Sequence, residues 1–253
     1  MSAAKRSRPS VEALYAYDLA VCAWIENGGG GEVPFWEAPP MPAEASLFGL
    51  SLAGFDEAGR GSVAGPVVVG CVHYPLAGGR NAELLEALRG VGDSKQLTAR
   101  QRVSLYERIT EIAAWGVGAA SAVEIDRAGI VPACRAAGAR AFANLGVTVD
   151  AGLFDRGLSL AVGPEGERPL RLEASAVGAD ARSLHVASAS IVAKVTRDRW
   201  MTHVAERFPE FGLERHKGYG TAAHMAAIRR LGPTRIHRRT FLTRLGEAET
   251  QSC

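Results

Sequence analysis

The sequence lacks the features that mark membrane-spanning and disulfide-stabilised proteins. No segment approaches the ~18 consecutive apolar residues that a transmembrane helix needs, so we expect no membrane association. The four cysteines are far apart and form no CxxC pair, which favours free thiols in a reducing compartment over disulfides or a zinc site. No apolar segment follows the basic N-terminus, so a secretory signal is not expected. We therefore expect a cytoplasmic protein, with an organellar transit peptide as the alternative.

The chain also lacks a strong net charge, but its charges are unevenly distributed. The 253 residues carry a formal charge of +2, whereas residues 194–244 contain twelve Lys and Arg against four Asp and Glu. A basic segment on a near-neutral chain predicts a surface that binds a polyanion, with a solvated helix surface as the alternative. No heptad repeat or large apolar stripe requires an oligomer, so we expect a monomer.

The N-terminal part of the chain differs in composition from the rest. Apolar residues recur at three- and four-residue intervals over 11–26, which predicts a short amphipathic helix. Four consecutive glycines follow at 28–31, and a proline-rich segment extends to Pro42, which is typical of a linker. We therefore interpret residues 1–47 as an N-terminal extension and residues 48–253 as one domain.

Short apolar runs and helical patterns alternate after residue 48. Two valine-rich segments around a glycine-rich turn predict a pair of strands. Thr98 predicts the start of a helix to about residue 114, with Val103, Ile109 and Ile112 on its inner face. The other predicted elements are a strand over 116–123, a capping box of Ser121 and Glu124, helices over 132–145, 188–208 and 221–231, a strand ending at 155, and a hairpin-like segment to 177. The pattern predicts a three-layer α/β domain with a mixed sheet.

Two adjacent carboxylates, Asp56 and Glu57, stand between an apolar strand and the tripeptide Gly59-Arg60-Gly61. Neighbouring side chains of a regular strand point to opposite faces, so the two can share a site only where the strand has ended, and the glycines indicate that it has. Oxygen ligands suit Mg²⁺ or Mn²⁺, which would offset the repulsion between the two charges. The alternative is an acidic turn in which Glu57 pairs with Arg60.

The Gly59-Arg60-Gly61 tripeptide has neither the lysine spacing of a Walker motif nor a GxGxxG pattern, which argues against a nucleoside triphosphatase. Its glycines offer backbone amides and carbonyls that can approach a ligand without an intervening side chain. Next to a metal site, this backbone can contact a sugar edge, including a 2′-hydroxyl, while Arg60 contacts a phosphate.

Six motifs, in order along the chain, resemble those of ribonuclease HII, the type 2 ribonuclease H family. They extend from about Phe48 to Leu245, and the Gly-Arg-Gly favours this family over ribonuclease HIII, which lacks that tripeptide. The motifs are Asp56–Gly61 (DEAGRG), Asp93–Leu97 (DSKQL), Glu124–Asp126 (EID), Ser188–Asp198 (SASIVAKVTRD), His216–Tyr219 (HKGY) and His237–Phe241 (HRRTF).

The resemblance implies a ribonuclease H-like α/β fold, in which helices flank a central mixed β-sheet and further helices form a basic C-terminal part. It implies an endonuclease that degrades the RNA strand of RNA–DNA hybrids and cuts duplex DNA 5′ to embedded ribonucleotides. The products would carry a 3′-hydroxyl and a 5′-phosphate. Two divalent cations, Mg²⁺ or Mn²⁺, are the implied cofactors, and RNA–DNA hybrids and ribonucleotide-containing duplexes are the implied partners.

By motif position, the resemblance also implies four carboxylates that are both catalytic and metal-binding, namely Asp56, Glu57, Asp155 and Asp180. Arg156 follows Asp155 where bacterial members usually have Gly, and Asp155 as a simple turn residue is the alternative. Asp180 is identified because it lies ten residues before Ser190, with a helix-capping role as the alternative.

Asp198 is the rival for the fourth position. It lies four residues after Lys194 in a predicted helix, where an ion pair is the simpler explanation. We expect Asp93 and Asp126, which also lie in matching motifs, to be structural.

The resemblance further implies a set of substrate contacts. Tyr219 resembles the tyrosine that packs on the sugar at an RNA–DNA junction, with a half-buried core tyrosine as the alternative. Lys95 and Lys194 resemble phosphate contacts. The backbone of Gly59, Arg60 and Gly61 would distinguish the 2′-hydroxyl. His216 and His237 are not expected to bind metal.

Two other functions are weighed against this one. A metal-dependent nuclease of another specificity can use the same fold, since fold does not fix function, but Gly-Arg-Gly beside the carboxylates argues against it. A non-catalytic protein that binds RNA–DNA hybrids would be expected to lack one or more of the four carboxylates, and all four are present.

Overall fold

The computed structural model describes residues 9–34, 50–75, 82–160 and 170–243. The predicted boundary between residues 47 and 48, most of the proline-rich segment, and the middle of the hairpin-like segment lie outside the described residues. No helix among the described residues has both the length and the apolar composition needed to cross a membrane.

A six-stranded mixed sheet forms the centre of the domain and confirms the predicted fold class. Its order is β1-β6-β5-β2-β3-β4. Strands β1, β6, β5 and β2 are parallel to one another, whereas β3 is antiparallel to both β2 and β4. The strands are β1 Gly31–Glu32, β2 Leu52–Ala58, β3 Val67–His73, β4 Ala114–Ala120, β5 Ala151–Asp155 and β6 Leu172–Ala176.

Helices cover both faces of this sheet. Buried residues of α1, α3 and α6 pack with one face, and buried residues of α4 and α5 pack with the other. The helices are α1 Val11–Glu26, α2 Ala82–Ala87, α3 Ala99–Ile112, α4 Ala122–Ala128, α5 Ile130–Ala143, α6 Leu184–Ala205, α7 Leu213–His216 and α8 Ala222–Leu231. Three short 3₁₀ turns are also present, at Ser94–Gln96, Ala179–Ala181 and Pro209–Phe211.

Local sequence explains where α3 and α4 begin. Thr98 and Gln101 form a capping box before α3, and the predicted box of Ser121 and Glu124 is present before α4. The predicted inner face of α3 is partly wrong, because Val103 and Ile112 are exposed while Leu105 and Ile109 are buried. The helix packs mainly through Leu105 and Ile109, with Tyr106 partly buried beside them, so Val103 and Ile112 lie outside its contact surface.

Helix α6 is the central helix of the domain. It begins at Leu184, four residues before the predicted start, and the hydroxyl of Ser183 caps it by accepting a hydrogen bond from the Val186 amide at 3.1 Å. Every residue over 184–193 is buried, so no amphipathic pattern marks this part of the helix. A Cβ at Gly54 or Gly70 would lie 2.3 or 2.4 Å from the α6 backbone, so these glycines allow α6 to pack closely on β2 and β3.

Helix α1, which the sequence placed in an N-terminal extension, packs into the core of the domain. Leu14 and Tyr15 join the cluster formed with α3 and α6, whereas Tyr17 and Val21 join a second cluster with β5, β6 and the start of α6. The helix therefore shares its buried surface with the elements that carry the candidate site.

Candidate active site

The carboxyl ends of β2, β5 and β6 lie at the same edge of the sheet because the three strands are parallel. Asp56 and Glu57 lie near the end of β2, and Asp155 is the last residue of β5. Asp180 lies in the 3₁₀ turn that follows β6. The amide of Ala179 in this turn donates a hydrogen bond of 3.0 Å to Asp155 Oδ1, which joins the last two positions.

Asp56 is buried, with 6% of its surface exposed, and Asp180 is buried to a similar extent. Burial raises the pKa of Asp56 well above the ordinary value, and the nearby charges of Glu57, Asp180 and Asp155 raise the pKa further. A hydrogen bond from Ser190 on α6 opposes this rise. The four carboxylates therefore share one region of concentrated negative charge.

The prediction that β2 ends before the acidic pair is wrong. β2 stops pairing with β5 at Phe55, but it remains paired with β3 through Ala58. Asp56 and Glu57 therefore point to opposite faces of a continuing strand. Asp56 meets Ser190 of α6 on one face. On the other face lies Cys134 of α5, whose pKa is raised by burial and further by the nearby charge of Glu57.

Two basic side chains bind the carboxylates. Lys95 Nζ lies 2.8 Å from Asp180 Oδ2, and Arg60 Nη1 lies 3.2 Å from Glu57 Oε1. The Glu57–Arg60 pair is the one that the sequence offered as an alternative to a metal site. Burial raises the pKa of Glu57, and its hydrogen bond with Arg60 opposes that rise.

The donor chemistry of the four carboxylates fits a hard divalent cation, which prefers oxygen ligands. Within the described ranges, however, no three His, Cys, Asp or Glu side chains are arranged so that they could hold one ion. Lys95 and Arg60 engage Asp180 and Glu57 in this arrangement. Cation binding therefore requires these side chains to exchange partners.

A buried arginine, Arg238, binds the backbone of the Gly59-Arg60-Gly61 segment, and this role was not predicted from the sequence. Arg238 is fully buried, and its Nη2 and Nη1 donate hydrogen bonds to the carbonyl oxygens of Gly59 at 2.7 Å and Arg60 at 2.8 Å. Burial is the main cause that lowers the Arg238 pKa to about 10. Among the described residues, the amides of Arg60 and Gly61 have no hydrogen-bond acceptor, so they are available to a ligand.

A second buried arginine, Arg197 on α6, supports the segments that adjoin this loop. It donates hydrogen bonds to the carbonyl oxygens of Pro66, Lys217 and Ala64 at 2.9, 2.9 and 3.0 Å. Gly59 has φ +86°, and a Cβ there would lie 1.9 Å from Arg197 Nε. Glycine is therefore required at this position by both its conformation and its neighbour.

Tyr219 follows Lys217, whose carbonyl oxygen Arg197 binds, by two residues. Its side chain lies at the surface, with 38% of the residue exposed. Lys194 Nζ and the Arg197 guanidinium each lie 5.5 Å from its ring centre. Its carbonyl oxygen accepts a hydrogen bond of 2.9 Å from Nδ1 of His224. The backbone of Tyr219 is thus held by His224, while the side chains of Lys194 and Arg197 contact its ring.

The remaining predicted residues are placed as follows. Lys194 pairs with Asp198 at 2.8 Å, which confirms the ion-pair interpretation of Asp198.

Asp126 is structural, since it accepts hydrogen bonds from the amides of Arg239 and Thr240. Asp93 caps the 3₁₀ turn that carries Lys95. His216 stacks on His224, and the His237 ring lies at 5.3 Å from that of His224 in a tilted arrangement. Arg156 lies in an exposed turn after β5.

A cavity of about 420 Å³ lies outside this site. It is lined mainly by apolar residues of β3, β4, α4 and α6, including Val68, Val117, Val123 and Trp200, and by Ile236 from the segment after α8. None of the four carboxylates lines it, so it does not contribute to the candidate active site.

Comparisons with known proteins agree with this geometry. A family model described as Ribonuclease HII matches residues 53–244. A ribonuclease HII of Roseiflexus castenholzii is 47% identical over 207 residues, which cover 80% of this chain and 88% of the relative. Another, from Gluconobacter oxydans, is 43% identical over 80% of this chain and 93% of the relative. The solved RNase HII of Archaeoglobus fulgidus, in its complex with PCNA, is similar at TM-score 0.60 and 29% identity over 75% of this chain and 94% of the other.

Proposed function

This chain belongs to the ribonuclease HII family and is an endonuclease of the ribonuclease H type, and from this premise we propose its substrate, its cofactors and the residues that act on them. The proposed activity is cleavage of the RNA strand of RNA–DNA hybrids and cleavage of duplex DNA on the 5′ side of an embedded ribonucleotide. The products carry a 3′-hydroxyl and a 5′-phosphate.

One observation carries this proposal: backbone amides without acceptors lie directly beside a cluster of carboxylates. β2 bears Asp56 and Glu57, and one residue after its end the chain enters the Gly59-Arg60-Gly61 loop. The loop's carbonyls are held by Arg238, which leaves its amides to face a ligand. RNA differs from DNA by its 2′-hydroxyl, which can accept a hydrogen bond from an amide. The arrangement therefore suits recognition of a ribose next to the bond that is cut.

We assign the cofactors to the four carboxylates. Asp56, Glu57, Asp155 and Asp180 would hold two divalent cations, Mg²⁺ or Mn²⁺, because the set supplies only oxygen donors and concentrates negative charge. Such cations, when bound, activate a water for attack on phosphorus and stabilise the leaving 3′-oxygen. Ser190 orients Asp56 by its hydrogen bond, and the Ala179 amide orients Asp155 at 3.0 Å.

The substrate contacts are assigned to residues around the loop. Tyr219 would pack its exposed ring against the sugar, with Lys194 and Arg197 behind the ring. Arg60, Lys95 and Lys194 would contact phosphates. On substrate binding, these phosphates would replace the carboxylates with which the three side chains now pair. The 2′-hydroxyl is recognised rather than used as a nucleophile, so no catalytic histidine is needed. We propose that the enzyme acts as a monomer.

The test compares wild type with Gly61→Ala on a labelled DNA duplex with one ribonucleotide and on an all-DNA duplex, with Mg²⁺, Mn²⁺ or EDTA. A Cβ at Gly61 meets no protein atom within 4 Å, so the variant is expected to fold normally. If the backbone contacts the ribose, cleavage of the ribonucleotide duplex falls by about 10-fold or more, because a single methyl group then obstructs the sugar.

Gly30→Ala is the matched control, since a Cβ there also meets nothing within 4 Å and Gly30 is remote from the site. Wild type is expected to make one metal-dependent cut 5′ to the ribonucleotide and to leave the all-DNA duplex intact. Cleavage of both duplexes would overturn the proposed 2′-hydroxyl recognition. Tight binding without cleavage under either metal would overturn the proposed catalysis and favour a hybrid-binding role.

A further inference from the structure

Helix α1 lies outside the residues that match the ribonuclease HII family model, which begin at 53. It is nevertheless joined to the catalytic part of the chain by a buried polar contact. Asp18 and His185 are both fully buried. Asp18 Oδ2 accepts a hydrogen bond from His185 Nδ1 at 2.7 Å and another from the His185 amide at 3.1 Å.

This contact fixes the first turn of α6. The amide of His185 is one of the helix-terminal donors that lack an acceptor within their own helix, and Asp18 supplies that acceptor from another element. The other ring nitrogen of His185 receives the Tyr74 amide at 3.1 Å, and the Tyr74 hydroxyl donates to Ser188 at 3.0 Å. The start of α6 is thus tied to α1 on one side and to the end of β3 on the other.

The residue next to Asp18 contacts the turn that precedes α6. The Arg182 guanidinium lies 5.1 Å from the centre of the Tyr17 ring. Tyr17 also packs in one cluster with Ala176, Ala179 and Val186. These residues lie on both sides of Asp180 along the chain, so α1 packs against parts of the segment between the end of β6 and the first turn of α6.

We propose that α1 is a brace that positions Asp180 for cation binding, with Asp18 and Tyr17 as its positioning residues. The proposal rests on the function proposed above, in which Asp180 is a metal ligand. His185 lies five positions after Asp180, and Ser190, which hydrogen-bonds to Asp56, lies five positions after His185. A displacement at His185 is therefore transmitted to two of the four carboxylates.

The chemistry of the contact favours positioning over simple stabilisation. A buried carboxylate is costly to desolvate, and apolar residues of similar volume often give an equal or greater free energy of unfolding. Asp18 Oδ1 is buried and has no hydrogen-bond partner among the described residues, so this cost is only partly offset. What the pair supplies is a defined direction and distance, which an apolar contact does not.

The test measures the affinity for Mn²⁺ alone, from the paramagnetic resonance signal of free Mn²⁺ in protein solutions, together with the melting temperature. The variants are Asp18→Asn, Tyr17→Leu and its conservative counterpart Tyr17→Phe, which keeps the ring over Arg182. Asp18→Asn and Tyr17→Leu are expected to weaken Mn²⁺ binding by about 10-fold, as is typical when a residue that orients a ligand is lost. Tyr17→Phe is expected to bind Mn²⁺ like wild type.

Val11→Ala is the matched control for lost packing. Val11 is buried on the same helix but belongs to the cluster with α3, away from Asp180, so it should lower the melting temperature and leave the Mn²⁺ affinity unchanged. In cleavage assays, Asp18→Asn should raise the Mn²⁺ concentration for half-maximal rate and leave the KM for duplex unchanged.

Asp180→Asn separates the brace from the function on which it rests. If Asp180→Asn does not weaken Mn²⁺ binding, the proposed ligand role fails. If Asp180→Asn weakens Mn²⁺ binding but Asp18→Asn and Tyr17→Leu only lower the melting temperature, as Val11→Ala does, then α1 does not position Asp180. The ligand role of Asp180 stands in that case. Should Asp18→Asn not fold, the comparison of Tyr17→Leu with Tyr17→Phe decides the question alone.

Discussion

Arg238 Nη2 donates a hydrogen bond of 2.7 Å to the carbonyl oxygen of Gly59, although 179 positions separate the two residues in the chain. The same guanidinium also reaches the carbonyls of Arg60 and Gly65. A planar guanidinium can satisfy three carbonyls at once because its donors diverge in one plane. The C-terminal part of the chain thereby fixes the loop that we propose recognises the ribose.

Replacing Arg238 with Lys tests this relationship. One ammonium on a flexible stem cannot satisfy the three carbonyls, and each buried group left unpaired costs about 1–3 kcal/mol. We expect a lower melting temperature, a KM for ribonucleotide-containing duplex raised about 10-fold, and weaker discrimination against all-DNA duplex. Arg239→Lys is the neighbouring control, since Arg239 is exposed. Unchanged discrimination in Arg238→Lys would show that the loop holds its shape without this contact.

Asp56→Asn is expected to stabilise the metal-free protein while it abolishes activity. The buried carboxylate of Asp56 lies near three others, and its raised pKa shows that the charged form is disfavoured. Removing the charge should raise the melting temperature in EDTA by several degrees, since about 1 kcal/mol corresponds to about 2–4 °C in a domain of this size. Cleavage should fall by at least about 100-fold.

Asp150→Asn is the control for Asp56→Asn, and it is expected to change the melting temperature in EDTA in the opposite direction. The Asp150 carboxylate accepts hydrogen bonds from the amide and hydroxyl of Ser51, at 2.9 and 2.7 Å. The hydrogen bond from the Ser51 amide is the main cause that lowers the pKa of Asp150. This variant should lower the melting temperature. If Asp56→Asn is also less stable than wild type in EDTA, the charge-repulsion account of the site is wrong.

Tyr219 is expected to contribute to substrate binding through its ring. Stacking of an aromatic side chain on a nucleotide is worth about 1–3 kcal/mol, so Tyr219→Ala should raise the KM about 10- to 100-fold. Tyr219→Phe keeps the ring and should retain most of the affinity. The melting temperature should change little in either variant because Tyr219 is exposed at the surface. Equal KM values for Tyr219→Ala and wild type would exclude the ring from the binding surface.

His237 predicts how stability depends on pH. It is 2% exposed, its Nδ1 accepts a hydrogen bond of 3.0 Å from the Thr234 amide, and burial is the main cause that lowers its pKa to about 4. The unfolded chain binds a proton near pH 6.5 and the folded chain only near pH 4, so stability is lost as pH falls through this window. The loss amounts to about 3 kcal/mol at its full extent.

Urea unfolding of wild type and His237→Asn between pH 7 and pH 4 measures this effect. Asparagine retains an oxygen acceptor for the Thr234 amide but does not titrate, so the variant should show a shallower decline in the free energy of unfolding. His203→Asn is the control, because the His203 side chain is 68% exposed. Parallel declines in wild type and His237→Asn would contradict the assignment.

Features that depend on short spacings along the chain were predictable from the sequence. Thr98 predicted the start of α3, and the capping box of Ser121 and Glu124 was also predicted, because a cap and its partner lie three positions apart, although α4 itself was not predicted. The alternation of strands and helices predicted the mixed sheet. The motifs predicted the four carboxylates, which lie at one edge of the sheet because the ends of parallel strands meet there.

The distant residues that support the site became identifiable only once the folded arrangement was known. Arg197 and Arg238 bind backbone carbonyls, and every residue type offers a carbonyl, so nothing at Gly59 or Ala64 marks the partner in the sequence. The pairing of Asp18 with His185 spans 167 positions and depends on α1 packing into the core rather than forming a separate extension. Local spacing specifies elements and motifs, whereas contacts between distant segments are chosen by how those elements pack.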